Sequence, residues 1–245
     1  MERIKLTVEY DGTNFSGYQL QPDKRTVQLE LENALLKIYG EKIVTYASGR
    51  TDSGVHALGT VVHYDQPKSI KHGRIADCLN AFLPEDVRII KAEIVDDNFD
   101  ARFDAKRKTY EYRFYLSRTE RPLMRNRALR VNEETDVEKM KEACSYLVGE
   151  HDFTSFVARK SGKTNFVRTI YDAKIIKRAE GEYSFFITGN GFLYNMVRII
   201  VGTLINVGYG RIEPKNVKSI IEAKNRALAG KTMPAEALYM VSVEY

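Results

Sequence analysis

The sequence predicts an α+β protein made of two similar α/β halves, residues 1–105 and 106–245, each with a mainly antiparallel sheet. Segments with an apolar residue at every second position alternate with segments of helical periodicity. The same succession recurs in the second half of the chain without obvious sequence identity, and no low-complexity stretch or long linker interrupts it. These three observations favour two α+β halves that share or abut their sheets.

The elements expected in the first half follow from the spacing of apolar residues and from the residues that end each run. Apolar and polar residues alternate over 3–10, which predicts a half-buried strand that ends at the turn Asp11-Gly12. Apolar residues recur at helical spacing over 26–39, Thr26 is a candidate cap and Gly40 ends the helix. The remaining expected elements are strands over 43–47, 59–64 and 87–95, a helix over 75–82, and a loop over 49–57.

The second half is expected to repeat this theme. Its predicted strands cover 109–116, 169–177, 183–188 and 239–243, and its predicted helices cover 137–148, 192–207 and 214–223. The helix over 192–207 carries a wide apolar stripe, so it is expected to pack against a sheet.

The charge, the cysteine count and the apolar runs of the sequence indicate its class of binding partner and its cellular compartment. Thirty-eight Lys and Arg against thirty-three Asp and Glu give a net charge of +5, which suits a polyanionic partner, although on composition alone plain surface charge is the commoner explanation. Cys78 and Cys144 support neither a disulfide framework nor a zinc site. No apolar run reaches the length of a membrane span. A cytoplasmic location without a membrane anchor is therefore expected.

The four histidines of the chain do not favour a metal site. They show no metal-ligand spacing, so each is expected to be structural or at the surface: His56, His63, His72 and His151. No metal is expected.

The loop Gly49–Ala57 contains the first candidate for chemistry. Asp52 lies between two glycines, which permit unusual backbone angles and the close approach of a ligand. A simpler interpretation is that Asp52 forms a turn, a common position for Asp beside Ser and Gly. Arg50 is a candidate for holding the carboxylate ionised, although a loop arginine is usually solvated. Spacing alone leaves both interpretations open.

Two further segments combine charge with apolar surroundings. Basic and aromatic residues interleave from Phe99 to Tyr115, a pattern suited to RNA phosphates and unstacked bases; the alternative is a strand with aromatic core residues, which is the better interpretation for Tyr112 and Phe114. Arg198 lies on an otherwise apolar helix. A charge there needs a partner, either a structural ion pair or a catalytic carboxylate.

Taken together, these segments resemble the tRNA pseudouridine synthase A family over nearly the whole chain. The matching motifs are Tyr10–Gln19, Gly49–Ala57, Phe99–Phe103, Lys108–Tyr110, Asp152–Phe156, Met196–Arg198 and Leu238–Met240. Tyr18 replaces the usual Trp and Ser53 the more frequent Ala. Every candidate catalytic position is filled.

The resemblance implies a pseudouridine synthase fold, with two halves meeting at a central catalytic cleft. It implies isomerisation of uridine to pseudouridine at positions 38, 39 and 40 of the tRNA anticodon arm, by a homodimer that needs no cofactor. Asp52 would be the nucleophile, attacking either ribose C1′ or uracil C6. Arg198 would pair with Asp52, Tyr110 would pack against the uracil, and Arg50 would help to hold the base out of the helix.

Two other functions remain for comparison. A non-catalytic RNA-binding protein on the same scaffold is the first, but a carboxylate facing RNA phosphates would be unfavourable for a pure binder. A metal-dependent nuclease would need several clustered carboxylates, and the loop offers only Asp52.

Overall fold

The computed structural model describes residues 2–71, 73–158 and 165–245, so that His72 lies outside the described residues. Its strands, in chain order, are β1 Glu2–Tyr10, β2 Tyr46–Ala47, β3 His56–Gln66, β4 Val87–Val95, β5 Arg107–Leu116, β6 Leu129–Val131, β7 Gly149–Asp152, β8 Val167–Ala179, β9 Glu182–Gly189 and β10 Leu238–Glu244. Its α-helices are α1 Val27–Tyr39, α2 Ile75–Asn80, α3 Val137–Ser145, α4 Met196–Gly208 and α5 Asn216–Glu222. The α+β class predicted from the sequence is confirmed.

Residue contacts group the chain into two compact units. The first contains Met1–Lys106 together with Tyr239–Tyr245, and the second contains Arg107–Leu238. This grouping differs from the expected division, which assigned all of 106–245 to one half. The reason is that β10 pairs in parallel with β3, and the Tyr245 hydroxyl donates a hydrogen bond to the Ala101 carbonyl at 2.8 Å.

The sheet of the first unit is built around β1 and β3. Strand β1 pairs antiparallel with β3 on one side and with β4 on the other. The second edge of β3 is shared, because β10 pairs with its beginning and β2 with its later part. Strand β3 therefore connects the loop that precedes it directly to the centre of the sheet.

Helix α1 shows why the sequence specifies its ends. The Thr26 hydroxyl accepts a hydrogen bond from Leu29 N, and Gly40 closes the helix in the left-handed conformation at φ 77°. The helix buries one face, formed by Val27, Leu31, Ala34 and Leu35. The cap at Thr26 and the end at Gly40 both match the prediction.

The sheet of the second unit has the order β5-β9-β8-β7, with antiparallel pairs, and the short β6 runs parallel to β5. Helix α4 packs against α3 and β5, and α3 also packs against β8. The predicted contact between the apolar helix and a sheet is thus confirmed.

Several boundaries differ from the sequence expectation. Helix α4 begins at Met196 rather than at residue 192, because Asn195 adopts the left-handed conformation at φ 60°. Strand β3 begins at His56 and includes two residues assigned to the loop. Strands β6 and β7 were not predicted. Among the described residues no helix is long and apolar enough to cross a membrane.

Candidate active site

The loop before β3 is held in place by backbone groups of residues 15–18. The amide of Tyr18 donates to the Thr51 carbonyl at 3.1 Å, and the amide of Gly54 donates to the Phe15 carbonyl at 3.3 Å. The Ser53 hydroxyl donates to the same Phe15 carbonyl at 3.1 Å. Three hydrogen bonds therefore fix the residues on both sides of Asp52.

Asp52 begins a tight turn and is half-buried. Its carbonyl accepts a hydrogen bond from Val55 N at 3.1 Å, and Gly54 takes the left-handed conformation at φ 80° that such a turn requires. The interpretation of Asp52 as a turn residue is correct for its backbone. Because every residue has a carbonyl, the turn alone does not require a carboxylate at this position.

Two glycines allow the neighbouring chain to approach this loop. A Cβ on Gly12 would collide with the Val55 carbonyl, and a Cβ on Gly17 would lie 2.7 Å from the Thr51 carbonyl oxygen. Gly17 also has φ 97°, which favours glycine. The motif Tyr10–Gln19 thus serves to bring backbone against the Asp52 loop.

His56 and His63 are both buried. His56 is buried, its Nδ1 accepts a hydrogen bond from Gly12 N at 3.0 Å, and its ring stacks on Tyr239 with centroids 4.7 Å apart. His63 is buried and accepts from Ala101 N at 3.0 Å. Burial lowers the pKa of His63 below the usual value, and Arg3 lowers this pKa further.

Arg50 lies at the surface. Its side chain is exposed, and it forms no ion pair with any residue within the described ranges 2–71, 73–158 and 165–245. Arg50 therefore does not form an ion pair with Asp52 in this structure. A solvated arginine beside a half-buried carboxylate is in a position to meet an incoming anion.

Tyr110 occupies a different environment from the other aromatic residues of β5. Tyr112 and Phe114 are buried, as predicted for core residues, whereas Tyr110 is only partly buried. Its ring makes an edge contact with Phe192 at a centroid distance of 5.1 Å and an angle of 81°. Tyr110 is the member of this set at the rim of the core.

Arg198 lies in the first turn of α4 and is partly buried. Its Nε donates to the Met233 carbonyl at 2.6 Å, and one terminal nitrogen donates to Asn195 Oδ1 at 2.8 Å. The amide of Met233 in turn donates to the Arg198 carbonyl at 3.2 Å. The guanidinium is thus oriented by a crossing segment as well as by its own helix.

The candidate residues fall into two groups. Asp52 and Arg50 belong to the first unit, and Tyr110 and Arg198 belong to the second. The expected pairing of Arg198 with Asp52 stays a prediction. No group of three or more His, Cys, Asp or Glu in the described part of the chain is arranged to hold a metal ion.

Sequence reasoning missed the residues that support the candidate site. Phe192 packs on Tyr110, while Asn195 and Met233 hold the Arg198 side chain. Met233 acts through its backbone carbonyl. Because every residue has a carbonyl, the residue type gives no sign of this role. Asn195 carried a usable signal, since asparagine is the side chain that most readily takes a left-handed conformation before a helix.

The comparison with known families decides the assignment. The model of a family described as tRNA pseudouridine synthase matches residues 6–104 and 143–245. The chain belongs to the tRNA pseudouridine synthase family. Arg50, Asp52 and Arg198 lie inside the matched ranges, and Tyr110 lies between them.

Curated relatives match over the full length. A tRNA pseudouridine synthase A of Bacillus subtilis is 49% identical over 99% of both chains. A protein of the same name from Anoxybacillus flavithermus is 48% identical over 100% of this chain and 99% of its own. Among solved structures, an archaeal box H/ACA sRNP Nop10–Cbf5 complex covers 82% of this chain with a TM-score of 0.33 and 15% identity, too distant to support an argument.

Proposed function

We propose that this protein isomerises uridine to pseudouridine at positions 38, 39 and 40 in the anticodon stem and loop of tRNAs. The observation that carries the proposal is a half-buried Asp52 on a loop fixed by backbone hydrogen bonds, in a chain that is 49% identical to a tRNA pseudouridine synthase A over 99% of both lengths. The basic excess of the sequence suits a tRNA substrate.

Asp52 is the proposed nucleophile. In the reaction the bond between uracil N1 and ribose C1′ breaks, the uracil turns, C5 bonds to C1′, the hydrogen of C5 leaves as a proton, and N1 gains a proton. The carboxylate attacks either ribose C1′ or uracil C6, and its bond to that carbon breaks again before the product leaves. Carboxylates are known covalent catalysts at glycosidic carbons.

The other candidate residues have supporting roles in the proposal. Arg198 pairs with the Asp52 carboxylate and keeps it ionised, because a nearby cation stabilises the charged form. Tyr110 packs against the target uracil, and Arg50 helps to hold the base outside the RNA helix. Extrusion of the base is required, since the reacting atoms of a stacked nucleotide are inaccessible.

The proposed enzyme works as a cytoplasmic homodimer without cofactor or metal. In a dimer, one protomer can grip the body of the tRNA while the other frames the target uridine. The reaction replaces the bond from C1′ to uracil N1 with a bond from C1′ to uracil C5 and needs no external oxidant or reductant, so that acid, base and nucleophilic groups suffice.

The decisive experiment measures tritium release from tRNA labelled at C5 of uridine, followed by mapping of the modified nucleotides. Release accompanied by pseudouridine at positions 38, 39 or 40 is expected. Tritium release with pseudouridine at other tRNA positions would refute the proposed target positions. Tight tRNA binding without release would instead favour a non-catalytic RNA-binding protein.

A further inference from the structure

The second unit contains a basic pocket that the proposed chemistry does not use. Its volume is about 370 Å³, and its polar lining includes Glu111, Arg113, Arg127, Arg178, Glu182 and Ser184. We call it the arginine pocket. Side chains alternate along the regular strand β5, so Glu111 and Arg113 lie on the sheet face opposite Tyr110. The arginine pocket therefore cannot contact the same base as Tyr110.

A buried carboxylate organises this pocket. Glu111 is only 2% exposed and pairs with Arg113 at 2.9 Å and with Arg178 at 3.0 Å. The Ser184 hydroxyl donates to the same carboxylate at 2.6 Å. Its arginine and serine donors hold the pKa of Glu111 below the usual value despite burial. Glu111 is thus ionised, and its oxygens are occupied by the donors that it orients.

Arg178 retains hydrogen-bonding capacity for a further anion. Arg178 is 50% exposed and spends two of its five N–H groups on Glu111 and Ser184. Its guanidinium lies over the Phe186 ring at 5.2 Å, which restrains its orientation. Glu182, the second acidic residue of the lining, pairs with Arg121 at 2.7 Å. The pocket thus combines preorganised guanidinium groups with carboxylates that are already paired.

Planar guanidinium groups match the oxygens of a phosphate better than a single ammonium does. Orientation by a buried partner reduces the entropy lost when a ligand binds. The segment of interleaved basic and aromatic residues was predicted to contact RNA, and Arg113 of that segment lies in this pocket.

We propose that the arginine pocket binds a backbone phosphate of the tRNA at a position remote from the target uridine. The proposal rests on the proposed function, because it takes tRNA as the partner. Since the Glu111 and Arg113 side chains of the pocket point to the sheet face opposite Tyr110, the phosphate belongs to the tRNA body rather than to the anticodon stem and loop. The pocket then contributes to affinity for whole tRNA and not to the chemical step.

The first test compares two charge reversals in one loop of the full-length protein. Arg127 lines the pocket, and Arg125, two residues away, is exposed and does not line it. We expect Arg127→Glu to weaken the binding of full-length tRNA about tenfold and to lower its salt slope by about one, with Arg125→Glu changing affinity less than about threefold. Affinity for an isolated anticodon stem-loop should stay unchanged in both variants. Equal effects of the two reversals, or equal effects on both RNAs, would overturn the proposal.

The second test removes the ion pair between Glu111 and Arg178 without changing the net charge of the protein. The double variant Glu111→Gln, Arg178→Gln loses one negative and one positive group, so long-range attraction for RNA is preserved. We expect about tenfold weaker binding of full-length tRNA by a variant whose thermal unfolding is still cooperative. Unchanged affinity of the folded double variant would overturn the proposal. Should this variant fail to fold, the Arg127 and Arg125 comparison decides alone.

The oligomeric state provides a further check on Arg127→Glu. If this variant dissociates into monomers, the pocket belongs to a protein interface and the RNA proposal is overturned. Both binding tests use affinity rather than turnover. A failed tritium assay with selective weakening by Arg127→Glu would therefore refute the catalytic proposal and leave the pocket proposal supported.

Discussion

The Asp52 loop of the first unit and the Arg198 region of the second position their candidate residues in different ways. Asp52 lies outside regular structure and is held by main-chain groups on both sides, at Thr51 and Gly54. Arg198 lies on a helix and is held through its own guanidinium, which contacts Met233 and Asn195. Main-chain hydrogen bonds thus hold the loop that carries Asp52, whereas the Arg198 side chain itself forms the contacts that hold it.

Both regions nevertheless use glycine to bring two backbones together. Gly17 admits the Thr51 carbonyl in the first unit, and Gly202 admits the Lys231 carbonyl beside α4 in the second. In each case a side chain would displace the segment that orients a candidate catalytic residue. Backbone groups hold the Asp52 loop and side-chain contacts hold Arg198, so substitutions at Asp52, at the supporting glycine and at Arg198 should have different effects.

The largest expected effect is that of Asp52→Asn. Tritium release should fall at least about a thousandfold, because the amide cannot act as the nucleophile. The turn should persist, since it uses the Asp52 carbonyl, so the variant should still unfold cooperatively. Binding of tRNA should be largely retained. Normal turnover by a verified Asp52→Asn preparation would refute the assignment of the nucleophile.

The next effect should come from the glycine that supports the same loop. Gly17→Ala places a Cβ 2.7 Å from the Thr51 carbonyl in a strained backbone conformation. We expect a loss of about 2 to 4 kcal/mol in unfolding free energy and at least about a hundredfold loss of turnover, because displacement of about 1 Å is that costly.

Gly40→Ala is the matched control for Gly17→Ala. Gly40 also has positive φ, at 77°, but a Cβ there would meet nothing within 4 Å. Its substitution should cost about 1 kcal/mol through backbone strain alone and leave turnover unchanged. Chemical denaturation and tritium release measure both quantities. Similar losses in the two variants would show that close approach to the loop is unimportant.

The sequence predicted regular elements better than the contacts that support the site. Residues 87–95 match β4, and both caps of α1 match, because each depends on local period or on one residue type. Strand β7 escaped prediction because Gly-Glu-His-Asp has no apolar alternation and is a strand only through its pairing with β8.

Strand β3 begins earlier than the sequence predicted. The predicted strand starts at Gly59, but Gly59 lies inside β3, where a Cβ would be 2.7 Å from the Val241 carbonyl. The glycine is present because β10 approaches closely. In the same way, the partners of the Asp52 loop are backbone groups, and no residue type identifies them in advance.

Arg198→Lys tests the combined role of the guanidinium. Lysine keeps the charge but lacks the planar fork that spans Met233 and Asn195. We expect about a hundredfold loss of turnover together with a loss of about 1 to 3 kcal/mol in unfolding free energy. Arg211→Lys, at an exposed position, is the control and should change neither. A variant that lost activity without any loss of stability would show that the contacts of the guanidinium with Met233 and Asn195 do not stabilise the fold.

The smallest expected effect is a difference between the two units in how their stability depends on pH. The pKa of His63 is lowered in the folded state by burial and Arg3, so its contribution to stability is full above the unfolded value of about 6.5 and is lost as pH falls toward the folded pKa. The pKa of Glu111 is also lowered, but its contribution begins to fall only below its unfolded value, about 4.3.

Acidification from pH 7.5 to pH 5.5 should therefore weaken the first unit while the Glu111 ion pairs of the second remain intact. The thermal midpoint of the natural sequence should fall by about 2 to 4 °C over this range, and His63→Gln should reduce that fall, because glutamine can accept the Ala101 amide without binding a proton. His151→Gln is the control and should leave the fall unchanged. If His63→Gln shows the same fall as the natural sequence, the pH sensitivity arises elsewhere, and the two units do not differ in the way that His63 and Glu111 indicate.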